Sequence, residues 1–490
     1  AALVRNTFWY GVVTAVGLVS GLLTSIVLAR GLGPALLGDY SYLLWALRTL
    51  AVFAGLGFPL ATSRYTAEAF ARGDRPAAWG YVRLFFRGQL AAAALVAAAA
   101  VPAVLWLAPD GLRLPFLLVA LSLFPIGMEG VYTHAVHGAQ RYDLTTQTST
   151  VKMAFQLAAA VAAVALGAGI LGLTAGLLLS FVLGALLQRR RALELYGAGT
   201  AARPAPLGRD VRAFVVSLSA VTVLEAVVWD RSEVFFLRLY VSSEALAYYS
   251  LAFGLATRAM VVPEIAVGAL LPAFSALHGG NAPAEFGALY RTAIRYVALA
   301  GAPIAAVGTA LAPALVGWLY GAEYAPAAAY FGPLAAVALL SALRKVAWAA
   351  LRAAGDRRHV LTAMAVAAVV NVVLAAALIP RYGVGGAVAA NSAAQVLATA
   401  WGFAGVARSR GVRLPAGDLV GVTAAGLLAF GAAQLVAADV HDLARLALAA
   451  AAGLAVFLVA AVLAGVLGTR EWSLLMTSTR RLTAPRVTGA

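Results

Sequence analysis

The sequence predicts an all-α polytopic membrane protein of about fourteen spanning helices, built as two pseudo-symmetric six-helix bundles around a central cavity plus two C-terminal helices. Three observations predict it. Hydrophobic residues fill 63% of the 490 positions, charged residues only 11%, and mean hydropathy is +0.89. That is more apolar side chain than a water-soluble globule can cover with polar surface. Apolar stretches of about 20 residues, the length a bilayer requires of a spanning helix, recur along the whole chain. The third observation is an internal repeat of the first six stretches.

The spans follow in order, each bounded by charge or by Gly and Pro. Span 1 (7–29) ends at Arg30, and its apolar run is too long for a signal-peptide core, so it is expected to stay as a helix. Span 2 (38–62) opens on Gly38-Asp39-Tyr40 and runs into a basic loop over 63–81 with Arg64, Arg72 and Arg75. Span 3 (82–107) is separated from span 4 (114–137) by Asp110 and Arg113. Gly138-Ala139-Gln140-Arg141 precedes span 5 (146–168), and Gly167-Ala168-Gly169 separates it from span 6 (170–188). The loop 189–211 holds Arg189, Arg190, Arg191, Arg203 and Arg209. Span 7 (212–240) and span 8 (246–276) flank Glu244; the loop 277–288 leads to span 9 (289–312), and Glu323 precedes span 10 (326–352). Arg357 and Arg358 precede span 11 (359–380), and Arg381-Tyr382-Gly383 precedes span 12 (384–407). Arg408, Arg410 and Arg413 come before span 13 (416–438), Asp439 and Asp442 before span 14 (443–467), and the tail carries Trp472, Arg480, Arg481 and Arg486.

Net charge is +16, which in a soluble protein would suggest nucleic acid. Here the arginines collect in alternate loops, while Asp39, Asp110, Glu244, Glu323, Asp439 and Asp442 lie in the others. The basic excess therefore reads as a topology signal: a multi-pass protein of the inner (cytoplasmic) membrane with both termini cytoplasmic, and no nucleic-acid partner. An even number of spans requires the same. With no cysteine there is neither a disulfide framework nor a thiolate metal site. His134 and His137 have a metal-ligand spacing of three, yet no third ligand stands nearby, and they read as interfacial polar residues. No metal or cofactor is expected.

The repeat sets the organisation. Leu36-Leu37-Gly38-Asp39-Tyr40-Ser41 is matched by Leu246-Ala247-Tyr248-Tyr249-Ser250, Gly138–Arg141 by Ala354–Arg357, and Gly167–Gly172 by Tyr382–Gly386, always about 210–216 positions apart. Six is even, so both copies enter the membrane from the same side as parallel repeats. The expected divisions are an N-terminal bundle 1–205, a C-terminal bundle 206–412, two extra helices in 413–467 and a basic tail 468–490.

An ion at the bilayer centre costs about 2.5–3.5 kcal/mol on insertion scales, so each needs a partner or a wet cavity. Candidates are Arg48, Glu129, Arg258, Glu264, Arg344 and Lys345, together with Glu225, Asp230, Arg231, Glu233 and Arg238 of span 7. Span 7 cannot neutralise itself, because Asp230 and Glu233 share one face and Arg231 and Arg238 another. Arg48 and Arg258 lie near mid-membrane by residue count and are the expected cationic floor for an anionic head group, with Arg344 and Lys345 adding charge deeper in. Glu129, Asp230, Glu233 and Glu264 are either coupling carboxylates or structural ones.

The ordered set Ala29-Arg30-Gly31-Leu32-Gly33-Pro34, Gly38-Asp39-Tyr40, Gly55-Leu56-Gly57, Glu68, Asp230, Tyr248-Tyr249, Leu270-Leu271-Pro272-Ala273-Phe274-Ser275, Leu319–Tyr324, Asn371 and Leu378–Ala387 spans most of spans 1–12. It resembles the polysaccharide-transporter (oligosaccharide and O-antigen flippase) branch of the superfamily that also holds lipid II flippases and multidrug and toxic compound extruders. The resemblance implies a flippase that moves polyprenyl-diphosphate-linked oligosaccharide from the inner to the outer leaflet by alternating access. Lipid II flippases carry cavity arginines on helices 1, 2 and 8. Arg48 and Arg258 stand on the last two, and span 1 has no counterpart, which leaves other lipid-linked glycans as substrates. Spans 13 and 14 resemble the pair that forms a lipid-facing groove in lipid II flippases. Membrane lipids and polysaccharide assembly enzymes are the implied partners.

A cationic wet cavity lowers the barrier to two phosphates, and no Gly-rich loop followed by Lys-Ser/Thr offers a nucleotide site, so ATP is not the driver. A proton or sodium ion remains as coupling ion, alongside membrane potential and the substrate gradient. A cation-coupled multidrug exporter of the same fold is the alternative, kept by the acids of spans 7 and 8. A membrane enzyme is disfavoured, because the outward loops are short and hold no clustered carboxylate pair beyond Asp439 and Asp442.

Overall fold

The computed structural model describes residues 2–197, 208–229, 232–268, 270–437 and 443–468, and every regular element among them is helical. In order these are α1 (Ala2–Gly55), α2 (Phe58–Ala71), α3 (Arg75–Leu107), α4 (Asp110–Gly138), α5 (Tyr142–Ala165), α6 (Gly169–Tyr196), α7 (Arg209–Trp229) and α8 (Glu233–Tyr240). There follow α9 (Ser243–Ala259), α10 (Val261–Val267), α11 (Leu270–Gly279), α12 (Pro283–Tyr320), α13 (Ala325–Ala353), α14 (Arg357–Arg410), α15 (Ala416–Ala437) and α16 (Leu443–Leu463).

Among the described residues, eleven helices are long and apolar enough to cross a membrane. Two of them are double. In α1 the backbone leaves helical geometry at Gly33 (φ 73°, ψ 170°), immediately before Pro34. In α14 it does so at Gly383 (φ 54°, ψ −130°), three residues after Pro380. Proline removes the N–H that would continue the ladder, and the left-handed φ is one that glycine adopts without steric cost. Each long helix is therefore two of the expected spans joined without a loop. The expected span 7 is α7 with α8; Asp230 and Arg231 lie outside the described residues, as does the side chain of Glu225.

Four segments differ from the sequence expectation. The loop expected over 63–81 is mostly helix, because α2 continues to Ala71. The break comes earlier, at Leu56 (φ 45°) and Gly57. There the Gly57 N–H donates to Ser219 Oγ of α7 at 2.9 Å, and a Cβ on Gly57 would fall 2.9 Å from the Val215 carbonyl oxygen. Span 8, expected as one helix, is α9, α10 and α11 in succession. Pro263 and Pro272 each fall in a new first turn, where a missing N–H is tolerated. The loops after span 6 and before span 9 are shorter than expected, since α6 runs to Tyr196 and α12 starts at Pro283.

The helices cluster into two compact units, residues 1–250 with 368–391 and residues 251–367 with 392–490. In the first, α4 packs on α6, α3 and α2. Its core holds Leu43, Leu47, Phe116, Leu123 and Leu177, and a second cluster includes Val82, Val131, Tyr132 and Tyr196. Tyr196 satisfies its buried hydroxyl by donating to the Ala135 carbonyl at 2.8 Å. In lipid, leucine gains little by leaving acyl chains for other leucines, so close packing at small residues holds helices together. Gly31 accordingly abuts Val164 of α5, and Gly138 abuts Thr66 of α2. In the second unit Gly301 of α12 abuts Leu339 of α13. α15 and α16 pair with each other and lie along α12, where a Cβ on Gly453 would fall 2.8 Å from Val307.

The repeat is visible in element boundaries. α4 begins at Asp110 and α13 at Ala325, 215 positions later; α5 begins at Tyr142 and α14 at Arg357, again 215 later. The positive-φ glycines Gly167 and Gly383 are 216 apart.

Gly31→Leu should lower the thermal midpoint of the detergent-purified chain by several degrees, because overpacking costs about 1–3 kcal/mol. Gly11→Leu, where no atom lies within 4 Å of an added Cβ, should leave the midpoint unchanged. Equal midpoints for both variants would show that the α1–α5 crossing is not close-packed.

Candidate functional site: ionised groups in the spanning helices

Helix α1 resumes after Gly33 and brings Gly38 and Asp39 against the connection from α8 to α9. Gly38 abuts the Ser243 backbone so closely that any side chain there would force the segments apart. Asp39 Oδ1 then accepts from Ser243 Oγ at 2.6 Å and pairs with Arg238 Nη1 at 2.9 Å. Arg238 also donates to Ser243 Oγ at 2.7 Å and lies over the Tyr42 ring. The short Gly-Asp motif thus works as one unit: glycine permits contact and the carboxylate neutralises an arginine of the next segment.

Glu233, the first residue of α8, is fully buried. Its carboxylate accepts from the Tyr249 hydroxyl of α9, from Asn391 Nδ2 at 3.2 Å and from Asn371 Nδ2 at 3.2 Å. Asn371 Nδ2 also donates to Ser232 Oγ at 3.0 Å. The side-chain oxygens of Asn371 and Asn391 are buried and accept no hydrogen bond among the described residues. The acid is thus held by neutral donors, and no described cation pairs with it. Among the described residues no three His, Asp or Glu side chains gather to hold a metal.

Glu129 of α4 is paired inside the first unit with Lys152 of α5, Nζ to Oε2 2.7 Å. Lys152 also lies 4.2 Å from the centre of the Phe181 ring, and Gly184 of α6 leaves room for the carboxylate, since a Cβ there would fall 2.8 Å from its carbon. In the second unit Lys345 pairs with Glu264 at 2.6 Å. Arg344, 2% exposed, donates to Gln395 Oε1 and, at 2.8 Å, to Ser341 Oγ, with its guanidinium over the Trp348 ring.

The two remaining candidates have different settings. Arg48 is exposed on the second half of α1, and among the described residues no carboxylate pairs with it. It stands fifteen residues past the Gly33 kink, roughly 22 Å along the helix at 1.5 Å per residue. Arg258 is half-buried in the last turn of α9, its Nη1 so placed that a Cβ on Gly254 would meet it at 3.3 Å. Asp230 lies outside the described residues. His134 is engaged with the Gly130 carbonyl at 2.9 Å and His137 is stacked on Tyr142, so the histidine pair has structural occupations.

Sequence reasoning on span 7 requires partners from other segments, and Glu233 and Arg238 find theirs on α9, α14 and α1. It passes over Lys152 and Asn391. The signals were available: Lys152 is one of two lysines in the chain and stands six residues inside an expected span, and an asparagine mid-span is costly enough to need a partner.

The polysaccharide biosynthesis protein family model matches residues 3–278, and the MatE model matches residues 217–377. No curated protein matches by sequence. The fold is similar to a solved structure of the lipid II flippase MurJ in an inward closed conformation, at 13% identity and TM-score 0.71, covering 93% of this chain and 98% of that one. It is also similar to the inward-facing conformation of a multidrug resistance MATE family transporter of the MOP superfamily, at 16% identity and TM-score 0.70, covering 81% and 96%. A MOP superfamily transporter from Pyrococcus furiosus is 15% identical, with TM-score 0.58 and coverage of 84% and 96%. At these identities the likeness is one of fold alone: a multi-pass helical fold.

Removing one partner of a buried ion pair costs about 3–5 kcal/mol, whereas removing both is near neutral. Lys152→Met should therefore destabilise the purified chain strongly, and Lys152→Met with Glu129→Gln should restore most of the thermal midpoint. A double variant as unstable as the single one would show that the pair is not the reason for Lys152.

Proposed function

The chain belongs to the polysaccharide biosynthesis protein family, and on that premise we propose that it is a flippase carrying polyprenyl-diphosphate-linked oligosaccharide from the cytoplasmic to the outer leaflet for cell-surface polysaccharide assembly. The observation that carries this reading is Arg48: an exposed guanidinium on a membrane-spanning helix with no carboxylate partner among the described residues. A charge so placed is too costly to keep against acyl chains, and the ligand that best offsets it is an anion. A diphosphate supplies paired oxygens that an arginine fork binds bidentately. Arg258 offers the second guanidinium. Arg344 and Lys345, held by Gln395 and Glu264, act on the phosphates through their field rather than by contact. The polyprenyl tail stays in lipid while the head group crosses. In this reading the repeats 1–205 and 206–412 alternate in access, the chain lies in the inner membrane with both termini cytoplasmic, and basic cytoplasmic loops meet assembly enzymes.

Glu233 is the proposed coupling group. Its carboxylate would take up a proton or sodium ion, and occupancy would set whether this corner of α8, α9 and α14 is neutral or anionic. Glu129 and Glu264, each neutralised by a lysine, are assigned to structure.

A second reading, a cation-coupled multidrug exporter, is favoured by the MatE match over residues 217–377. The two differ in the charge of their cargo. In proteoliposomes with a labelled polyprenyl-diphosphate sugar, wild type should flip the lipid, and Arg48→Gln should slow flipping about 10–100-fold, the loss of a charged hydrogen bond worth roughly 1.5–3 kcal/mol. Arg48→Lys should retain part of the rate. Wild-type vesicles that accumulate ethidium but leave the lipid-linked sugar unflipped would replace this reading with the exporter. Separately, Glu233→Gln should make flipping insensitive to an imposed proton or sodium gradient while leaving downhill exchange. A variant still responding to both gradients would remove Glu233 from coupling.

A further inference from the structure

Beyond its kink, α1 carries Tyr42, Trp45 and Arg48, each three residues from the next. Tyr42 is held from two sides. Its ring meets Phe116 of α4 in an edge-to-face contact at 5.8 Å, and the Arg238 guanidinium lies 5.6 Å from its centre. Trp45, half-buried, is stacked on Tyr42 at 5.6 Å with 17° between the planes. Phe235 of α8, 45% exposed, stands 6.3 Å from Trp45 and inclined at 38°, neither stacked nor edge-on. All of these residues belong to the first unit.

A tryptophan in a spanning helix ordinarily fills the core or anchors the chain at the membrane interface. Trp45 is placed for neither. Leu43 and Leu47 are the residues of this stretch that are buried in the core. Trp45 is two positions from each of them, about 160° round the helix from both. It stands twelve residues past the Gly33 kink, in a segment that runs to Gly55, or roughly 18 Å along the helix. Tryptophan favours the interface, and this depth is well inside it. What Trp45 borders is Arg48, about 60° round the helix and roughly 4.5 Å along it. Arg48 is exposed and meets no carboxylate among the described residues, and an ion so placed requires water or a ligand on that side. Trp45 therefore stands at the edge of the same space.

We propose that Trp45, backed by Tyr42 and flanked by Phe235, is the contact for the first sugar of the cargo, the one joined directly to the diphosphate. This rests on the reading of Arg48 as the diphosphate site. A pyranose ring presents a face of C–H groups, whose partial positive charge is attracted to the negative π-face of an indole. The sugar is joined to the phosphate through one oxygen, so a platform for it must stand within about one helical turn of the guanidinium, as Trp45 does. Because Tyr42 is held by Phe116 and Arg238, the indole stacked on it is in position before the cargo arrives. The contact reads the ring next to the diphosphate and not the sugars beyond it.

The test compares two lipids in proteoliposomes of the full chain: a radiolabelled polyprenyl diphosphate bearing one hexose, and the same lipid without sugar. The readout is the ratio of their flipping rates. Arg48→Gln should slow both lipids alike and leave the ratio near that of wild type. Trp45→Ala should lower the ratio about tenfold, the scale of one aromatic contact. Trp45→Phe, which keeps a ring, should restore most of it. A loss of packing alone would slow both lipids and leave the ratio unmoved. If Trp45→Ala does not fold, Phe235→Ala, at an exposed position, should lower the ratio about threefold. A wild-type ratio in folded Trp45→Ala, or in Phe235→Ala where the former does not fold, overturns the sugar contact and leaves the diphosphate reading standing. Wild-type vesicles that flip neither lipid overturn that reading and the sugar contact with it.

Discussion

The cost of an ionised side chain away from water organises this molecule. In a helix surrounded by acyl chains a charge must meet an opposite charge, a set of hydrogen-bond donors, an interface or a ligand, since hydrocarbon offers none of these. Nearly every ionised group described inside the spans has one of the first two. Lys152 meets Glu129 and Lys345 meets Glu264, each at under 3 Å, while Arg238 meets Asp39 at 2.9 Å. Glu233 takes the second route, with a tyrosine and two asparagines as donors. Arg48 meets no carboxylate among the described residues and is exposed on a spanning helix, which is why it bears most of the functional reading.

The two acid environments differ in kind. Glu129 and Glu264 are held by ammonium groups and their negative charge is offset on site. Glu233 is held by neutral donors, a tyrosine hydroxyl and two amides, and no described cation pairs with it. The same distinction separates Arg344, enclosed by glutamine, serine and tryptophan, from the open guanidinium of Arg48.

Glycine serves two separate ends. At Gly33 and Gly383 it supplies backbone angles that let two spans run end to end beside a proline. At Gly38, Gly138 and Gly184 the angles are ordinary and the missing Cβ is what matters, since it admits Ser243, Thr66 and Glu129 respectively. The second use places polar groups within hydrogen-bonding or ion-pairing distance, so close packing and electrostatics are satisfied by the same positions.

The sequence by itself determined the helical class, the positions of nearly all spans, the two-fold recurrence of a six-helix unit and the inventory of charges in the spans, because hydropathy, Gly-Pro punctuation and periodicity are local properties of the chain. The breaks at Leu56–Gly57 and around Met260 were only half legible: Gly55-Leu56-Gly57 and Pro263 stand in the sequence, but whether an apolar run bends there depends on what packs beside it, such as Ser219 on Gly57. Partner choice was decided by tertiary structure alone. Glu129 could have met any lysine or arginine at its depth; Lys152 is its partner because α4 and α5 turn those faces together. Asn371 and Asn391, twenty residues apart across the Gly383 kink, reach one carboxylate on α8 for the same reason. The rotation of a helix about its axis relative to its neighbours is set by the sum of all its contacts, and no local stretch of sequence encodes it.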